Sequence, residues 1–178
     1  MTTAQFSLQD LNTLNQEQFV QALGSLFEGP PWIVAQAWHL SPFRTRKDLY
    51  NALCNVMYQA SPDKQVALLR SHPDLVGRAA LEGKLSSAST HEQAAAGLDQ
   101  LSAEEIATFT QLNQTYRDRF GFPFVICARE NKKESILAGF ATRLRNSRDQ
   151  EIIFALQEVA KICALRLQDL VNEEENGA

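Results

Sequence analysis

Apolar residues recur along most of this chain at intervals of three and four, the spacing of a single buried helix face. Asn15-Gln16-Glu17-Gln18 reads as a helix start, with Leu14 placed to staple onto Phe19 and the apolar set Phe19, Leu23, Leu26 and Phe27 running to Gly29. Pro30 and Pro31 open a short helix through Trp32 and Trp38 that closes before Ser41-Pro42. A third helix spans roughly Thr45 to Ala60, with Leu49, Leu53, Val56 and Met57 on one face. Ser61-Pro62 supplies a cap and a first-turn proline for a fourth, which carries Val66 and Leu69.

The pattern weakens through Leu85-Ser86-Ser87-Ala88, read as a loop. Ser89-Thr90-His91-Glu92 then has capping-box spacing, so a short Ala-rich helix is expected to start there and stop near Gly97. Ser102-Ala103-Glu104-Glu105 is a second box, flanked by Leu101 and Ile106 at staple spacing. Its helix carries the stripe Ile106, Phe109, Leu112, Tyr116 and Phe120 and ends at Gly121. Two more helices are predicted, around Glu134 to Leu144 and from about Asp149 to Asn172. The exception is Gly121 to Arg129, whose β-branched and aromatic residues permit a strand but find no second one to pair with. A buried extended segment is expected instead, with backbone groups that need partners, which a polar ligand could supply. The sum is an all-α fold: a single-domain bundle of about eight helices over 1–178, without a sheet, with 1–6 and 173–178 as frayed tails.

Composition narrows the class. The 178 residues are 44% hydrophobic, enough for one domain that buries about two-thirds of its unfolded surface. A net charge of −4 with both signs dispersed, and no basic run, argues against a nucleic-acid partner. No apolar run reaches the length of a membrane span and the N-terminus does not resemble a signal peptide, so a cytoplasmic location with no membrane partner is expected. Cys54, Cys127 and Cys163 are odd in number, widely spaced and set among apolar residues, which fits buried free thiols.

The chemistry concentrates in Leu69-Arg70-Ser71-His72-Pro73-Asp74-Leu75-Val76-Gly77-Arg78. Pro73 pushes His72 away from helical geometry, so the preceding helix should stop here with the imidazole at its end, a good place to hold a base. The alternative is a helix C-terminus whose cations complement the macrodipole. With three histidines, no His pair at helix spacing and no Cys-x-x-Cys, a metal site is not expected. Glycine-rich phosphate cradles and nucleophile-elbow serines are absent too, so an enzyme built on this chain should work without a cofactor.

Five motifs occur together and in order: Ser71-His72-Pro73-Asp74-Leu75; Ser89-x-x-Glu92-Gln93 followed by Ala96-Gly97-Leu98; Leu112-Asn113-x-x-Tyr116; Phe120-Gly121-Phe122-Pro123-Phe124; and Arg143-Leu144-x-Asn146. In this the chain resembles the 2-oxo-4-hydroxy-4-carboxy-5-ureidoimidazoline (OHCU) decarboxylase family, from roughly Phe19 to Leu170. The resemblance implies an all-α bundle, commonly a homodimer, that decarboxylates a small ureidoimidazoline without a cofactor to give (S)-allantoin, the last step from urate. It implies that His72 is the acid/base, Glu92 its partner at the reacting carbon, and Arg143 a contact to the substrate. Pro73, Ser89, Thr90, His91 and Gln93 would line the pocket, with His91 given no chemical role. Backbone groups among Phe124, Val125, Ile126, Cys127 and Ala128 would hold the ureido or ring edges.

Each residue has a structural alternative. Glu92 fits a capping box. Arg143 lies close to the apolar face set by Phe140 and Ile136, where pairing with Asp74 or Glu92 would satisfy it. Asp74 reads as a cap or ion-pair partner, Arg78 as a surface group, and Cys127 as an inert thiol because apolar neighbours raise its pKa. Two other functions compete: a cofactor-free hydrolase of a related ureido compound, and a non-catalytic helical interaction module with an exposed apolar face.

Overall fold

The computed structural model describes residues 5–172. Among them are ten α-helices: α1 Leu8–Thr13, α2 Gln16–Leu23, α3 Trp32–Ala37, α4 Arg46–Gln59, α5 Pro62–Arg70, α6 Arg78–Leu81, α7 Ser87–Ala95, α8 Ala103–Phe120, α9 Lys133–Arg143 and α10 Arg148–Leu170. No β-strand forms among the described residues; an isolated bridge joins Phe6 to Val171. The all-α expectation holds, and the helices beyond the eight read from the pattern are α1 and α6, too short to show a periodic face. Phe6 departs from the frayed tail expected over 1–6. Its amide donates to Leu170 O at 2.7 Å and its carbonyl accepts from Asn172 N at 2.9 Å, so its backbone is paired. Residues 1–4 and 173–178 lie outside the described residues.

The helix starts follow local side-chain chemistry. Asn15, Thr45 and Ser102 each accept from the amide three residues on, while Gln18, Asp48 and Glu105 reach back to the cap. Gly121 ends α8 in the left-handed conformation (φ 80°), which glycine adopts without steric penalty.

Contacts divide the chain into two compact units, one formed by the residues up to Ser61 with those from Ala160, the other by Pro62–Val159. The first buries Phe19, Leu23, Ile33, Leu49, Leu53, Met57, Cys163 and Leu167. Arg166 is buried with them, donating to Ser25 O at 3.1 Å and pairing with Glu28 at 3.2 Å.

The second unit holds every candidate functional residue. Its core is an aromatic cluster around Tyr116, whose ring centroid lies 4.6 Å from Phe120, 5.2 Å from Phe124 and 6.3 Å from Phe140. Phe124 stacks on Phe140 at 3.8 Å. These contacts carry the segment after Gly121 into the interior as buried chain without regular secondary structure, with Cys127 extended, before a 3₁₀ turn over Ala128–Glu130. The backbone partners come from side chains: Arg143 donates to Val125 O, Glu158 accepts from Cys127 N at 2.9 Å, and Asn131 donates to Cys127 O at 2.9 Å.

Candidate active site

α5 delivers the histidine as its sequence implies. The helix ends at Arg70, and His72 follows in a turn closed by its own amide to Leu69 O at 3.2 Å. The imidazole is half-buried, with Nδ1 3.0 Å from Leu68 O. A carbonyl only accepts, so Nδ1 carries a hydrogen, and in the neutral form of the ring Nε2 is the basic nitrogen. Beyond Pro73 the chain goes inward at Leu75 and Val76, both buried. Val76 has φ 53°, a conformation that a β-branched residue adopts only under constraint. Asp74 pairs with Arg117, so the ion-pair reading of Asp74 holds, and Arg78 pairs with Glu82 at the surface.

The start of α7 corrects the sequence reading. Its cap is Ser86, whose side chain accepts from Ser89 N at 3.1 Å, so Ser89 and Glu92 lie inside the helix and form no capping box. The reason is tertiary: the serine-rich run offers two cap positions, and starting at Ser86 puts Ser89, Glu92, Gln93 and Ala96 on one buried face. Thr90 and His91 fall on the exposed side, and Thr90 Oγ1 donates back to Ser86 O at 3.0 Å. Helix α7 packs against the Ala128–Glu130 turn, and Lys132 Nζ donates to Ala95 O at 2.7 Å. Burial, helped by the charges of Glu130, Glu158 and Glu92, pushes the Cys127 thiol up to about 11, so it is an inert thiol beside an acidic cluster. All three cysteines are buried and free.

Arg143 ends α9 with a buried guanidinium. Its partner is neither Asp74 nor Glu92 but Glu151, which has no exposed surface, accepts from Nε at 2.9 Å and lies 2.9 Å from Nη2 as an ion pair. Nη1 donates to Val125 O at 2.6 Å, and Phe124 lies beneath the guanidinium at 4.3 Å. Tyr116 OH donates to Glu151 Oε2, and Asn146 Nδ2 donates to Oε1 at 2.9 Å. Burial raises the Tyr116 pKa against the opposing charge of Arg143, so its hydroxyl stays protonated as the donor.

A continuous set of contacts therefore links the expected residues. The His72 loop touches α7 through Val76 N to Gln93 Oε1 at 3.1 Å; α7 carries Glu92 beside the Cys127–Ala128 segment; and Val125 is tied to Arg143. Asn113, Tyr116 and Glu151 complete this scaffold without having been singled out as site residues. Asn113 carried a readable signal, a polar residue four after Phe109 and three before Tyr116 on the apolar stripe of α8. Among the described residues, no group of three or more His, Cys, Asp and Glu side chains is arranged to hold a metal, and no helix is long and apolar enough to cross a membrane.

The family model described as OHCU decarboxylase matches residues 12–168. The chain belongs to the OHCU decarboxylase family. Two curated relatives match over nearly their whole length. The 2-oxo-4-hydroxy-4-carboxy-5-ureidoimidazoline decarboxylase of Amia calva is 42% identical over 92% of this chain and 94% of that protein. The protein of the same name from Halalkalicoccus jeotgali is 40% identical over 92% and 91%. Among solved structures, an (S)-allantoin synthase superposes with a TM-score of 0.73 at 25% identity, covering 93% of this chain and 54% of that one.

Proposed function

We propose that this chain decarboxylates OHCU to (S)-allantoin in urate breakdown, with His72 as acid/base, Glu92 as its partner and Arg143 as a substrate contact. The observation that carries the assignment is the His72 tautomer: Leu68 O holds Nδ1–H, so Nε2 is the nitrogen that exchanges protons, and its loop is bonded to the helix that carries Glu92.

The chemistry suits these side chains. The substrate's hydroxyl and carboxyl share one ring carbon and the ureido group sits on the next. When the carbon–carboxyl bond breaks, its electron pair forms a ring double bond and displaces the C=N electrons onto nitrogen, which takes up a proton from solvent, so carbon dioxide departs and an enolic ring is left behind. The enol hydroxyl then loses a proton to a base while the ureido-bearing carbon gains one. Imidazole and carboxylate can each take one of these transfers, and delivery from one face yields one enantiomer. One donor on Arg143 Nη1 remains beyond those engaged by Glu151, Tyr116 and Val125, suited to a substrate oxygen. Pro73, Ser89, Thr90, His91 and Gln93, with backbone groups between Phe124 and Ala128, would line the pocket, and Thr90 and Gln93 share one cavity beside Val76. The reading includes a cofactor-free homodimer in the cytoplasm, on the strength of the family resemblance, and light scattering tests the dimer.

The deciding experiment oxidises urate enzymatically, hydrolyses the product, adds this protein, and follows circular dichroism of the small molecule. A rapid (S)-allantoin signal with the wild type, slowed on the order of a hundredfold in His72→Ala, is expected. A racemic background rate would reject the assignment, and ring opening without carbon dioxide would move it to the hydrolase reading.

A further inference from the structure

The peptide unit joining Leu75 to Val76 is gripped at both ends by side chains. Its carbonyl accepts from Asn113 Nδ2 at 2.7 Å, and its N–H donates to Gln93 Oε1 at 3.1 Å. This is the unit whose rotation would return Val76 from φ 53° to the favoured negative range. Turning it over would point the carbonyl at the Gln93 oxygen and the N–H at the Asn113 amide, reversing both bonds. The two side chains together thus hold a backbone conformation that the local sequence disfavours. Asn113 is itself buried, and its Oδ1 finds no hydrogen-bond partner. An isosteric apolar residue would avoid that unsatisfied oxygen, so the donor on the other side of the amide is what makes asparagine useful at this position. Asp74, one residue earlier in the loop, is drawn to Arg117 one turn along the same helix, so α8 fixes the loop at successive positions.

We propose that Asn113 is a positioning residue for the decarboxylation, acting with Gln93 to lock the Leu75–Val76 peptide and thereby set His72 against Glu92. Gln93 follows Glu92 on α7, so the clamp joins the histidine loop to the element that carries its carboxylate partner. The inference rests on the acid/base roles proposed above. Asn113 does not need to touch the substrate to act in this way; a loop with its peptide turned over would misplace the imidazole by a distance that proton transfer does not tolerate.

The test compares wild type with Asn113→Leu, which keeps bulk and removes the donor, and Asn113→Asp, which keeps shape and removes it. Both should lower kcat by about tenfold to a hundredfold with KM changed less than about threefold, because the site is misaligned rather than emptied. A merely structural asparagine would lower the melting temperature and leave kcat of the folded fraction unchanged, which would overturn the proposal. Should the variants fail to fold, amide hydrogen exchange on the wild type decides. Val76 N–H should exchange as slowly as the core of α8, and exchange at the rate of an open loop amide would overturn the clamp. An inactive wild type would instead count against the decarboxylase reading, while the exchange result would still judge the clamp.

Discussion

Arg143 and Glu151 form an ion pair inside the second unit, Nε 2.9 Å from Oε2, on a carboxylate with no exposed surface. Such a pair gives little net stability over an apolar replacement, but breaking it leaves one charge buried alone. Glu151→Gln should therefore lose about 3–5 kcal/mol in urea unfolding, well above a typical surface substitution. The double replacement Arg143→Met with Glu151→Leu should lose less than Glu151→Gln. Strict additivity of the single effects would show that the pair is not coupled as its geometry requires.

The cap of α7 separates two readings of one serine-rich run. Ser86→Ala removes the side chain that accepts from Ser89 N and should cost about 1 kcal/mol by chemical denaturation. Glu92→Gln removes no cap interaction, and turnover should fall on the order of a hundredfold. A large loss of stability without loss of turnover in Glu92→Gln would return the residue to a structural role.

Alkaline stability follows from the buried acids. Burial raises the Cys127 thiol from the ordinary 9.0 to about 11, and raises Cys163 and Tyr116 as well. In each case the unfolded chain releases its proton first, so the native state holds more protons above pH 9. Stability is complete below the unfolded value and is lost as pH climbs through the native one. The urea midpoint should thus fall steadily between about pH 9 and pH 11, with Cys127→Ala removing part of the slope. A level midpoint across that range would contradict the protonated, desolvated interior.

The sequence was most readable where the physics is local. Asn15 and Ser102 announce their helices because the cap and its partner lie three residues apart, and Phe109, Tyr116 and Phe120 mark a buried face by spacing alone. His72 and Glu92 stood out through motif order, which also gave the family. What could not be read was pairing across breaks. Arg143 chooses Glu151 because the turn after α9 brings α10 beneath its guanidinium, and no pattern within either helix encodes that meeting. Ser86 and Ser89 are chemically equivalent caps, and only the burial of Ser89, Glu92 and Gln93 decides between them. The left-handed Val76 was likewise invisible, because its conformation is imposed by Asn113 and Gln93 from two other helices.

Gly77 closes the same loop, and its requirement is space rather than dihedral freedom. Its backbone is extended, at φ −80° and ψ 179°, which any residue adopts. A Cβ there, however, would stand 2.6 Å from Asp74 Cβ and 3.2 Å from Asp74 O, so the turn must open to admit it. Opening weakens the Gly77 N to Asp74 O bond at 3.3 Å and shifts the residues that lead back to His72. Gly77→Ala should cost about 1–3 kcal/mol of stability through this crowding and lower kcat by roughly tenfold or more. Gly83→Ala is the matched control. Gly83 has φ 67° with nothing within 4 Å of an added Cβ, so alanine there should cost about 1–2 kcal/mol of backbone strain and leave turnover alone. Equal kinetic losses in the two variants would mean that the approach of Gly77 to Asp74 has no special bearing on the histidine.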